Sequence, residues 1–344
     1  MREILPQVEQ WLSDNKQVAV ATVVSVWGSA PRRPGSRMGV SSDLDVAGSV
    51  SGGCVEGAVI EEAQKVMETG EPQLVTFGVS DETAWDVGLS CGGKISVFVE
   101  ALGGSEVEGR LRDAIHQDRL VALATVVDGP GTGNRRLLEP SGETTGDLGS
   151  DARNRQAEDR VEEVFRSFEP TRFQVEEDGE TADVFLEPHP PRPQLILIGA
   201  VHTAIPLVTF ARELGFATHV VDPRRVFATE ERFAHADRLI HAWPQEVLPE
   251  LGLHEATYLA TLSHDPKIDL PALELALRSP CRYVGALGSS RTHAKRVKTL
   301  EEKGFSEDEI ARIHAPIGMD LGGRRPEEIA VAVIAEIVAV AHGQ

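Results

Sequence analysis

Cysteine and positive charge are both scarce in this 344-residue chain, and each scarcity removes a class of protein. Three cysteines, Cys54, Cys91 and Cys281, are too few and odd in number for a secreted disulfide scaffold, and they point to a reducing compartment. Lysine and arginine total 34 against 54 aspartates and glutamates, a net charge of −20 that argues against general nucleic-acid or anionic-membrane binding. Nearly half of the acidic excess lies between Ser141 and Pro190 and reads as a solvated face or connecting stretch. No apolar run suits a membrane span of about 20 residues; the most apolar, Ile329 to Ala341, is short and broken by Glu336. The first residues, Met1 to Pro6, hold no apolar core of the signal-peptide kind, so a cytoplasmic protein is expected. Also lacking are a nucleophile elbow, a P-loop lysine and any close pair of histidines with metal-ligand spacing.

What is present suits a soluble α/β protein of two domains, with a hydrophobic share of 41%. The spacing predicts a helix over Ile4–Ser13, a buried strand over Val18–Val24, short strands near Met38–Val40 and Val46–Ser49, and a helix from Val55 to Met67. Strands are also predicted at Leu74–Phe77 and Ile95–Val99. A faint echo follows: Leu120–Val127 resembles Val18–Val24, and Val184–Glu187 resembles Val97–Glu100. It suggests one sheet built from two related halves, giving an α/β domain over residues 1–188. Within it, Gly129–Asp151 is rich in Gly, Ser and Thr and reads as a loop. A proline-rich linker, 189–193, leads to a second domain, 194–344. There Leu195–Ile198, a helix from Ala204 to Leu214 and the strand His219–Val221 form a βαβ unit of a Rossmann-like parallel sheet. Ser306 with Glu309 fits a capping box, and Pro326 fits the first turn of a last helix.

Four segments carry the candidate chemistry. In Ser51-Gly52-Gly53-Cys54-Val55-Glu56-Gly57 a cysteine sits where a glycine-rich turn enters a helix, among backbone N–H donors at the positive end of the dipole. That setting favours a thiolate and also an anion such as phosphate. Cys91, in Ser90-Cys91-Gly92-Gly93, lies in a similar turn. The loop Gly28–Gly35 offers Ser29, Arg32 and Arg33 on a backbone stiffened by Pro31 and Pro34, with Arg37 just beyond; guanidinium groups suit phosphate. In the second domain, Gly199-Ala200-Val201-His202-Thr203-Ala204 occupies the place of a dinucleotide fingerprint, and Asp222 stands where a ribose-binding acid belongs. Val201 replaces the glycine that lets phosphate approach the backbone. His264 and the glycine-rich turn Gly285–Arg291 are expected at the same sheet edge.

Together these segments resemble the XdhC/CoxI family, accessory proteins of xanthine dehydrogenase and related molybdenum hydroxylases. The matching stretches are Gly28–Gly35, Ser51–Glu56, Leu89–Gly93, Gly285–Ser289, Pro316–Asp320 and Arg325–Ala330, in order over nearly the whole chain. The departure is Gly-Ala-Val-His at residues 199–202, where relatives usually carry Gly-Ala-Gly-His. The resemblance implies a cofactor chaperone rather than a catalyst. It would bind molybdenum cofactor (molybdopterin), assist its sulfuration with a cysteine desulfurase, and deliver it to a xanthine dehydrogenase-type molybdoenzyme, acting as a homodimer. Cys54 would contact the metal, and Gly52, Gly53, Glu56, Ser29, Arg32, Arg33 and Cys91 would bind the cofactor. Gly199, His202 and Asp222 would hold a nucleotide. Two rivals remain: an NAD(P)-dependent oxidoreductase using the Rossmann domain, and a redox-sensing module using Cys54 and Cys91.

Overall fold

In the computed structural model, which describes residues 1–28, 32–78 and 93–343, the valine- and alanine-rich run at Val18 becomes a central strand because both of its faces are covered. The chain divides into two units, Met1–Pro191 and Arg192–Gln344. The first unit opens with α1 (Leu5–Ser13), β1 (Val18–Trp27), β2 (Arg37–Ser41), β3 (Val46–Gly48), α2 (Glu56–Thr69), β4 (Gln73–Phe77) and β5 (Lys94–Ala101). It then runs through the same series again: α3 (Glu106–His116), β6 (Val121–Asp128), β7 (Arg135–Leu138), β8 (Thr144–Gly146), α4 (Asp151–Ser167), β9 (Thr171–Glu177) and β10 (Glu180–His189). The strands form two antiparallel sheets of identical order, β3-β2-β1-β5-β4 and β8-β7-β6-β10-β9. The echo read from the sequence is thus a duplication, but into two sheets rather than one.

Residue pairs at constant spacing show how close the two halves are. Gly48 and Gly146 both take positive φ, and a Cβ on either would lie 2.3 Å from a carbonyl oxygen, of Arg37 and Arg135 respectively. Alternation decides what each face buries. Ala19, Ala21 and Val23 of β1 pack on Val59, Ala63 and Val66 of α2, and β6 packs likewise on Ala157, Val161 and Val164 of α4. On the inner faces Val24 and Phe98 meet Val127 and Phe185, with α1 and α3 lying beside them. Two ion pairs cross between the halves reciprocally: Arg37 with Glu187, and Arg135 with Glu100.

Three expectations are corrected here. Gly129–Asp151 contains β7 and β8. The acidic stretch after Ser141 holds α4, whose apolar stripe is hidden among charges. The proline-rich segment starts within β10, where His189 is buried opposite Val121.

The second unit is a six-stranded parallel sheet. Its elements are β11 (Gln194–Ile198), α5 (Ala204–Glu213), β12 (Ala217–Val221), α6 (Glu230–Phe233), β13 (Arg238–Ile240), α7 (Pro244–Leu251), β14 (Thr257–Thr261), α8 (Pro266–Leu277), β15 (Tyr283–Ala286), α9 (Ser290–Glu302), α10 (Glu307–Ala311), β16 (Ile313–His314) and α11 (Pro326–Ala341). The strand order β13-β12-β11-β14-β15-β16 is that of a Rossmann fold, with helical cores on both faces. Its switch point lies between β11 and β14. The Ser306–Glu309 capping box forms as read. Among the described residues, no helix is long and apolar enough to cross a membrane.

Candidate functional site

Strand register brings the strand ends that flank the loops of the first half to one end of their sheet. Thr22 pairs with Arg37, Met38 with Gly48, Trp27 with Lys94, and Ile95 with Phe77. The end of β1, the start of β2, the turn leaving β3, the end of β4 and the start of β5 therefore share that end. The second half lacks the two longer connections between these strands. From Val126 to Gly133 its chain takes a short turn closed by the same backbone bonds that join Val23 to Gly35 across a longer loop. Its β9 and β10 meet in a tight hairpin, Glu177 opposite Glu180. At the helix entry, the position equivalent to Cys54 is Ala152.

The turn around Cys54 is held by its own side chains. Gly52 and Gly53 have φ of 77° and 113°, a left-handed path that side-chain-bearing residues resist. It folds the chain over Ser51, which is buried and accepts from the amides of Cys54 (2.9 Å) and Val55 (3.0 Å) through Oγ. Glu56, the first residue of α2, reaches back over the turn. Its carboxylate accepts from Ser49 Oγ (2.6 Å), the Ser51 amide (2.9 Å), the Gly53 amide (2.8 Å) and Ser51 Oγ. Partial burial would raise this carboxyl, but the hydrogen bonds from Ser49 and Ser51 outweigh it and hold the pKa at about 2. The Gly52 amide donates to Ser49 Oγ at 2.9 Å. The amides that the sequence offered to an anion are thus already donated within the turn. That role for Glu56, and the part played by Ser49 and Ser51, was not read from the sequence: Glu56 stands five residues after Ser51, not at the three-residue spacing of a capping box.

Cys54 is half-buried, with its side chain against the core under α2. Of the arginine loop, Arg32 is half-buried and Arg33 exposed. Arg37 is not part of an anion-binding surface: it turns inward to Glu187. Ser29 and Cys91 lie outside the described residues. Among the described residues no group of three or more His, Cys, Asp or Glu side chains could hold a metal ion.

In the second unit, Gly199, His202 and Asp222 gather at the carboxyl ends of β11 and β12. Gly199 has φ of 112°, and a Cβ there would lie 2.8 Å from the Ser263 backbone, so close strand packing demands the glycine. Val201 packs on the core, and His202 is exposed. Asp222 is fully buried. It accepts from the Ala200 amide (2.8 Å), the Arg224 amide (2.9 Å) and both ends of the Arg224 guanidinium (2.9 and 2.8 Å). Burial opposes its ionisation, yet these bonds lower its pKa. The acid expected to meet a ribose is spent inside the turn.

Comparison with known proteins adds the following. Residues 195–337 match the model of the XdhC Rossmann domain, and residues 11–78 that of the XdhC and CoxI family. A Bacillus subtilis protein named as a probable xanthine dehydrogenase subunit is 28% identical over 95% of this chain and 94% of its own. The Escherichia coli molybdenum cofactor insertion chaperone PaoD is 26% identical over 98% of this chain and 88% of its own. A crystal structure from Bacillus halodurans, described as a xanthine dehydrogenase, superimposes with a TM-score of 0.73 at 25% identity, covering 99% of this chain and 96% of that one.

Proposed function

The chain belongs to the XdhC and CoxI family, and on that premise we propose that it carries molybdenum cofactor as cargo for a xanthine dehydrogenase-type molybdoenzyme. The names of its relatives support cofactor maturation in general. In our reading the protein binds and protects the molybdopterin, assists its sulfuration with a cysteine desulfurase, and inserts it into the client enzyme as a homodimer.

The observation that carries this reading is the asymmetry of the duplicated unit. The first half departs from the second in a cysteine at a helix entry, an arginine loop and a longer β4–β5 connection, and the strand ends from which these leave lie at one end of the sheet. A folding requirement would act on both halves alike. Sulfur at Cys54 is a soft donor suited to a molybdenum centre, and Arg32 and Arg33 suit the cofactor's phosphate. Ser29 and Cys91 enter the proposal through the sequence. Glu56, with the Gly52-Gly53 turn, fixes the chain that presents Cys54. The oxidoreductase rival has less to support it, because Asp222 would have to exchange Arg224 for ribose hydroxyls.

The test is Cys54→Ser, purified from a molybdenum-replete host. Molybdenum and pterin content should fall several-fold while stability changes by less than about 1 kcal/mol. Normal metal content and normal activation of a client hydroxylase by the variant would refute the proposal.

A further inference from the structure

Next to Ser263, on which the Gly199 turn packs, a cavity of about 130 Å³ lies at the carboxyl side of β14, lined by the first turn of α8 and by α9. His264, Asp269, Thr292, Lys295, Arg296 and Thr299 line it. Arg296 is 7% exposed; its Nη2 donates to the Leu287 carbonyl at 3.2 Å, while its Nη1 is buried and has no hydrogen-bond partner. A buried cationic donor without an acceptor is costly, and native structures keep few of them without a reason. Lys295 is exposed beside it and has no ion-pair partner among the described residues. The one carboxylate in the lining, Asp269, is already engaged by Ser263 Oγ at 2.7 Å, and burial raises its pKa, which weakens its claim on Arg296.

We propose that this cavity binds a phosphoryl group, with Arg296 and Lys295 supplying charge and Thr292 and Thr299 supplying hydroxyl donors. The size argues for a small oxyanion. The space exceeds by roughly tenfold what a single water needs, about 10–15 Å³. It falls short of the ~300 Å³ at which whole-ligand pockets begin. The exposed His264, Pro266 and Lys295 at its rim leave an ester-linked remainder free to extend into solvent. This site is independent of the cysteine turn and of the cargo assigned to it.

The test uses the full chain with inorganic phosphate and ribose 5-phosphate as probes, and sodium chloride at matched ionic strength as the reference. Phosphate should raise the melting temperature of the wild type beyond the chloride control, as expected for a ligand bound to the native state. Lys295→Gln, an exposed change that spares folding, should weaken phosphate about tenfold. Arg296→Met should abolish the response; if that variant fails to fold, Lys295→Gln decides. Displacement of phosphate by ribose 5-phosphate assigns the site to a monoester, and failure to displace it assigns the site to the free ion; both support the proposal. A phosphate response equal to that of chloride, or undiminished in both variants, overturns it.

Discussion

At Glu56 a single carboxylate sits where the amides of the turn would otherwise attract an external anion. The residue at the equivalent position in the second half, Asn154, does similar work: it accepts from the Leu148 amide and donates to Asp147. The charge is what differs, and it stands beside the cysteine. Glu56→Gln keeps the shape and removes the charge-assisted bonds, so a loss of about 1–2 kcal/mol is expected in urea denaturation. Its pH signature has a definite sign. A folded pKa of about 2 lies below the ordinary 4.5, so the contribution is complete above the ordinary value. It is lost as pH falls through the folded one. Stability of the variant should therefore converge on that of the wild type near pH 2, and a constant difference down to that pH would count against the assignment. The cysteine, the glycines and Glu56 were all legible as a turn entering a helix. The use of their amides was not, because sequence names donors without saying which acceptor reaches them first.

Among elements, the crossed pairs Arg37–Glu187 and Arg135–Glu100 tie each half of the first unit to the other. Arg37 and Glu187 are both buried, so removing one partner strands a charge, whereas removing both does not. Arg37→Met and Glu187→Leu should each cost about 3–5 kcal/mol, and the double variant much less than the sum. Additive losses in a double-mutant cycle would show that the pairing is incidental. These pairs also explain what the sequence hid. The βαβ unit at Leu195 was legible because a continuous apolar run beside a glycine turn has few other solutions. The duplication was faintly legible in the repeated Phe98 and Phe185 strands, but its division into two sheets rests on contacts between residues far apart in sequence. Helix α4 escaped because Ala157, Val161, Val164 and Phe165 are spread through an acidic stretch whose charge dominates any composition. The strands β7 and β8 escaped because short, Gly- and Thr-bearing segments read as loop.

For the whole molecule, two opposed effects set the response to acid. The net charge of −20 repels itself at neutral pH, and protonation toward the isoelectric point near 5.0 relieves that strain. Against this stands His189, buried at the end of β10 with its Nε2 lacking a hydrogen bond and 3.7 Å from Glu187. Burial holds its pKa down to about 4; Glu187 opposes that and the nearby Arg37 adds to it. The unfolded histidine, near 6.5, takes up a proton first, so the unfolded state binds more protons between those values and stability is lost as pH is lowered across that window. Salt screens most of the diffuse surface repulsion, whereas the buried histidine is shielded from it. Glu187, driven below the usual range to about 2 by Arg37 and His189 despite its burial, extends the loss to lower pH in the same direction. The melting temperature should therefore drop between pH 6.5 and 4 in the wild type. In His189→Gln, which cannot titrate there, the curve should be flatter in that window while keeping the fall below it. Parallel curves for the two proteins would place the acid sensitivity elsewhere in the chain.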